Sequence, residues 1–168
     1  MRLLRRNSLI EAFIAAAFIY AWLFGATFTG KLYGLLFTAL WNKEIDFDTD
    51  TIAVILTTSS HTPDQDAHNY VDDITNEVSG GGYARVNLGS KTVGYTGGTN
   101  KHKLDAADSD FATATFTFRN VHLADVSPGA DSSRPLLGYQ AADGDVTGAG
   151  GTLTLVWHAS GIIEITVG

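Results

Sequence analysis

The chain has 168 residues, with 18 glycines, three prolines, no cysteine and a formal charge of −7. The missing cysteine excludes disulfides, thiolate metal sites and thiol nucleophiles, and the length suffices for one domain with a real core plus an appendage. Arg2, Arg5 and Arg6 against Glu11 give residues 1–30 a charge of +2, which leaves −9 for residues 31–168. An acidic body with scattered lysines and arginines argues against a nucleic-acid partner, since phosphate neutralisation needs clustered basic groups. Many glycines with few prolines fit the tight turns of an all-β domain.

From Leu9 to Phe24 the only charged residue is Glu11, and extended to Phe28 the run has 20 residues. As a helix it would be about 30 Å long, near the thickness of a bilayer core. Residues 1–30 are therefore expected to form a hydrophobic N-terminal helix, an anchor or an oligomerisation segment, set apart from a single β-rich domain over 31–168. Three readings stay open. As a membrane anchor, with contact through residues 9–28, it has flanking arginines and interfacial Tyr20 and Trp22. As a helix buried among copies of itself it offers Ala17, Ala21 and Gly25 on one face. As a signal-like segment it fits less well, because of Glu11, the bulky aromatics and the lack of a small-x-small cleavage site.

Lys31 to Asn42 reads as a short amphipathic helix, with Leu32, Leu35, Leu36, Ala39 and Leu40 on one face. An acidic turn, Asp46 to Asp50, leads into Thr51–Thr58, a short β-branched run that reads as a strand buried on both faces. Asp64–Ile74 reads as a loop or short helix. Strands are expected at Tyr83–Leu88, Lys91–Tyr95 and His102–Leu104, with a Gly97-Gly98 turn. Phe111–Leu123 carries the cleanest alternation, with Ala112, Ala114, Phe116 and Phe118 on one side. Beyond Asn120 the apolar positions become Val121 and Leu123, so the phase flips, which predicts a bulge or a strand that changes sheets. Leu136–Gln140 reads as a strand and Ala141–Gly151 as a polar, Gly-rich loop. Gly151–Gly168 reads as a hairpin closed by Ala159-Ser160-Gly161, pairing Trp157 with Ile163, Leu155 with Ile165 and Leu153 with Val167. Some eight short strands behind one helix predict a mainly β fold, a β-sandwich or jelly-roll-like domain.

Asp46, Asp48 and Asp50 begin like a calcium loop, but Thr51 and Thr57 stand where such a loop needs Gly and Glu. A looser oxygen site stays open there beside a solvated turn. His61, Asp64, Asp66 and His68 supply two imidazoles and two carboxylates, yet the spacing puts the histidines on no common helix face and no third histidine lies nearby in sequence. His102, His122 and His158 read as isolated strand histidines. Gly80-Gly81-Gly82 precedes Tyr83 and lacks the Lys-Ser or Lys-Thr of a phosphate loop. No nucleophile elbow or paired-acid motif appears. The sequence thus assigns no catalytic, cofactor-binding or metal-binding residues, no cofactor and no enzymatic activity.

Several segments resemble one family. They are Lys31–Leu40 with Trp41, Glu44–Thr51, Thr62–His68, Asp72-Asp73 and Asn76–Gly80, followed by weaker echoes at Gly82-Tyr83, Lys91–Val93 and Pro135–Tyr139. Together they look like the small virion structural proteins of tailed bacteriophages, described as head-decoration, head-fibre or minor structural proteins. The likeness covers most of residues 31–168 and none of 1–30. It implies a non-enzymatic structural role in the virion, on the capsid or tail, with partners that are copies of the chain and other virion proteins such as the major capsid protein. The alternative from the residues alone is a membrane-anchored β-sandwich that binds a ligand or adheres to a surface.

Overall fold

Most strand-forming segments are short and apolar on at least one face, and every strand pairing among the described residues is antiparallel. The computed structural model describes residues 14–16, 26 and 28–167. In chain order the elements are β1 (Ile14–Ala16), β2 (Phe28–Leu32), α1 (Leu36–Trp41), β3 (Ile52–Thr57), β4 (Val86–Asn87), β5 (Thr92–Thr96) and β6 (Lys101–Asp105). There follow β7 (Ser109–Phe111), β8 (Thr117–Asp125), β9 (Leu136–Thr147), β10 (Leu153–Leu155) and β11 (Ile163–Thr166). Single 3-10 turns lie at Val71–Asp73 and Asp131–Ser133. The strands form a five-stranded sheet β2-β9-β8-β3-β4, a four-stranded sheet β1-β11-β6-β5 and the pair β10-β7. The fold is mainly β, as expected.

The five-stranded sheet organises the interior because both its faces are covered. Ile52, Val54 and Leu56 of β3 join Phe118, Val121 and Leu123 of β8 in the main core, while Ile55 points to a second cluster with Tyr33, Val71, Ala124, Leu136 and Tyr139. All six residues of β3 are buried, the pattern its continuous apolar run predicts. The phase flip in β8 is a register shift between Phe118 and Asn120, so Phe118 and Val121 reach the same core although they stand three positions apart.

The structure corrects other expectations. The hydrophobic helix proposed for residues 1–30 lies mostly outside the described residues. Its described parts, Ile14–Ala16 and Phe28–Gly30, are strand, held by pairing to β11 and β9. Lys31 and Leu32 also belong to β2, so the amphipathic helix shrinks to Leu36–Trp41. Leu32, Leu36 and Ala39 are buried, but Leu35 turns out to solvent. The strand read at Tyr83–Leu88 contracts to Val86–Asn87. Phe111–Leu123 is broken by a turn in which Thr113 takes a positive φ of 53°, which separates β7 from β8. Ala141–Thr147 is no loop. It extends β9, because Ala142 faces Phe28 of β2 and Val146 faces Phe118 of β8, and those pairings override the weak strand propensity of Gly and Asp.

The C-terminal hairpin does not form. Leu153 pairs with Phe111 and Leu155 with Ser109 in the β10-β7 pair, whereas β11 lies between β1 and β6, with Ile163 opposite Leu104. The turn itself stands: Gly161 has φ +97°, and its N–H donates to the His158 carbonyl at 2.7 Å.

A second glycine packs too closely for any side chain. A Cβ on Gly148 would lie 2.4 Å from the Ala114 carbonyl oxygen. This is where residues 148–151 clamp the turn before β8, through Gly148 N–H to Phe116 and Gly150 N–H to Ala114. Since the obstacle is backbone, Gly148→Ala is expected to cost about 1–3 kcal/mol, read as a lowered melting temperature.

Candidate functional site

Polar side chains concentrate on the face of the five-stranded sheet away from the main core. Strand pairing sets Ile55 beside His122 and His122 beside Tyr139, so these three share one row of that face. His122 is fully buried. Its Nδ1 meets the Tyr33 hydroxyl at 2.8 Å and its Nε2 the Thr57 hydroxyl at 3.1 Å. Asn120 Nδ2 donates to Thr57 Oγ1 at 3.0 Å and to the His61 carbonyl at 3.1 Å, which ties the loop after β3 to β8.

His61 is also buried, and its ring stands edge-on to His122 with centroids 5.0 Å apart. The Thr75 backbone N–H donates to His61 Nδ1 at 3.3 Å, so that nitrogen holds the lone pair and the proton sits on Nε2. Nε2 is buried and meets no hydrogen-bond acceptor among the described residues. His68 lies 5.4 Å from His61, ring to ring, and its Nδ1 accepts the Asp64 N–H at 3.3 Å. Tyr33 packs on Tyr139 at 5.1 Å, which closes the cluster.

Burial governs the protonation states. Desolvation lowers the His122 pKa to about 3, with His61 and His68 adding to the effect. His61 is lowered by burial and by His68; protonation at Nδ1 would also break the bond from Thr75. Burial holds the Tyr33 hydroxyl far above the usual tyrosine range, so it stays neutral. Neutral imidazoles joined through hydroxyls fasten β3, β8 and the 57–76 loop together.

The sequence had set His61 and His68 in one loop, and the structure does bring their rings together. Asp64 and Asp66 do not join them: Asp64 Oδ1 accepts the N–H groups of Asp66 and Ala67, a local turn. What the sequence missed is His122, read as an isolated strand histidine, with its partners Tyr33 and Thr57 and the Asn120 that bonds Thr57. The only clue in the chain was a polar Asn-Val-His triplet where the β8 alternation changes phase. Among the described residues, no group of three or more His, Asp or Glu side chains is arranged to hold a metal ion.

The acidic turn is occupied by protein groups. Asp46 Oδ1 accepts the N–H groups of Asp48 and Thr49, and Asp50 Oδ2 accepts that of Asp46 at 2.6 Å. The Lys91 ammonium donates to the main-chain carbonyls of Asp48 and Asp50. Asp125 beneath it is buried, and desolvation and the neighbouring Asp50 raise its pKa. Treatment with a chelator of divalent cations is expected to leave the melting temperature unchanged; a drop of many degrees would reveal a metal that holds the fold.

Elsewhere, basic side chains meet carboxylates. Arg85 bridges Glu77 and Asp131, Arg119 meets Asp145, and Lys101 meets Glu164 at 2.6 Å. A depression beside α1, lined by Leu35, Thr38, Asn69, Tyr70 and Pro135 among others, has Glu44 as its one charged residue. Comparison with family models, with curated proteins and with solved structures finds no match.

Proposed function

We propose that the chain is a non-enzymatic structural protein of a tailed-bacteriophage virion, built into or displayed on the capsid or tail through contacts between copies and with other virion proteins. On this reading the domain is a jelly-roll-like β-sandwich that serves as a rigid module. The observation that carries it is how the reactive side chains are used. His61, His122 and Tyr33 are buried in one cluster, with His122 bonded to Tyr33, while several large apolar side chains stand at the surface: Trp41 is 79% exposed, and Val93 and Tyr95 are each more than half exposed. Apolar surface of this kind, on an acidic chain that also carries the 9–24 run, suits assembly better than turnover. The resemblance of residues 31–168 to virion proteins supplies the setting.

Mass spectrometry of purified particles tests the proposal. The protein is expected among the particle components in multiple copies, and its absence from them overturns the assignment. The 9–28 apolar run also favours a second reading, a membrane-anchored binding module. That reading requires the full chain to partition with membranes in cells that make no particles.

A further inference from the structure

The four-stranded sheet ends at β5, and all five residues of that strand are exposed. Its inner edge pairs with β6 from Thr92 opposite Asp105 to Thr96 opposite Lys101. Among the described residues, no strand pairs with its outer edge. Soluble proteins usually guard such an edge with charge, proline or a bulge, because free N–H and C=O groups template pairing with another chain. The sequence of β5, Thr-Val-Gly-Tyr-Thr, has none of these guards.

It also reads symmetrically. If a second copy lies antiparallel against it with Gly94 on the two-fold axis, Gly94 faces Gly94, Val93 faces Tyr95 and Thr92 faces Thr96 of the second copy. Aromatic with β-branched, and threonine with threonine, are favourable cross-strand pairs. Val93 and Tyr95 share one face of the strand, so both hydrophobic pairs fall on the same side of the joined sheet. That side continues inward through Leu104 and His102 of β6 to Ile163 and Ile165 of β11, an apolar surface already half covered. Tyr95 packs at a tilt against His102 with centroids 4.7 Å apart, and its hydroxyl donates to Asn100 Oδ1 at 3.0 Å, so it meets the second copy in a fixed orientation. On the opposite side, the row across the seam runs Asp105, Thr92, then Thr96 and Lys101 of the second copy. Its outer charges are opposite, and the same holds in the mirrored row.

We propose that β5 is a self-association edge, and that two copies of the chain join there into a continuous eight-stranded antiparallel sheet with Gly94 at its centre. This rests on the reading of the protein as an assembly component and names one of its contact surfaces. A two-fold contact of this type uses the same patch on both copies and closes on itself.

The chain has no cysteine, so single thiols can be placed at will. A Cβ on Gly94 meets nothing within 4 Å, and its φ is ordinary, so Gly94→Cys fits the free chain. At the two-fold position the two Cα atoms would lie about 4.5–5.5 Å apart, within the range a disulfide spans. The full-length chain, in mild detergent, is oxidised as Gly94→Cys, Thr92→Cys, Thr96→Cys and the Thr92→Cys/Thr96→Cys pair, and run on a non-reducing gel. Circular dichroism checks that each variant is folded. Disulfide-linked dimer is expected for Gly94→Cys and for the double variant and not for either threonine alone, because Thr92 faces Thr96 and not itself. No dimer from folded Gly94→Cys, or equal dimer from Thr92→Cys alone, overturns the proposal. Neither result depends on whether the protein is found in particles, so the contact and the virion assignment fail separately.

Discussion

Stability is expected to fall as the pH drops from 7 towards 5, with His122 as the main cause. A histidine whose folded pKa is depressed binds its proton more readily unfolded. Its contribution is therefore intact above the ordinary value of 6.5 and is lost as the pH falls from there towards the folded value, about 3 for His122. In that window each such histidine removes about 1.4 kcal/mol per pH unit. His61 is shifted in the same direction and adds to the loss over the part of the window above its own lowered pKa. Asp125 works the other way: its raised pKa is a penalty at neutral pH that is relieved as the carboxyl protonates. Asp73 and Asp131, both lowered, lose their contributions only as the pH falls below the usual carboxylate range. Thermal melts at pH 7.5, 6 and 5 should show the decline, and His122→Gln should flatten it by about one proton's worth of slope while lowering stability at neutral pH. A wild-type melting temperature unchanged from pH 7.5 to 5 would mean that His122 is not held neutral.

The largest single-residue loss is expected at Trp157. It is 6% exposed, packs in the main core and is fixed by its backbone N–H, which donates to Asp108 at 3.0 Å. Trp157→Ala should cost about 3–5 kcal/mol in denaturant unfolding, since it leaves a large cavity beside the last strands. The indole Nε1 is buried and has no acceptor among the described residues. Trp157→Phe, which keeps most of the apolar surface and removes that donor, should therefore cost less than about 1.5 kcal/mol. If phenylalanine were as damaging as alanine, the indole N–H would have to be making a bond that matters.

Trp157 also shows what the sequence could and could not carry. Its burial followed from its place in an alternating apolar run, but its partners did not. Leu153 and Leu155 fit an apolar strand wherever one is offered; Val167 and Ile165 were the partners nearest in sequence, yet Phe111 and Ser109 stand opposite them in the fold. Cross-strand pattern fixes which face is buried and is nearly blind to which of several apolar strands supplies the pair. β3 was legible because a β-branched run buried on both faces has few other uses. The bulge at Phe118–Asn120 was legible because a change of phase within one strand has a local cause. The extension of β9 through Ala141–Thr147 was not, since its support comes from Phe28 and Phe118, far along the chain. His61 and His68 could be seen as neighbours, but His122 reaches them only through the pairing of β8 with β3.

Sedimentation of the full-length chain without detergent reads self-assembly, the centre of the proposed function, without any substitution. Multimers or larger particles are expected, because the 9–24 run and the exposed edge at Thr92–Thr96 both favour contact between copies. A compact, soluble monomer that persists as the concentration is raised would contradict it.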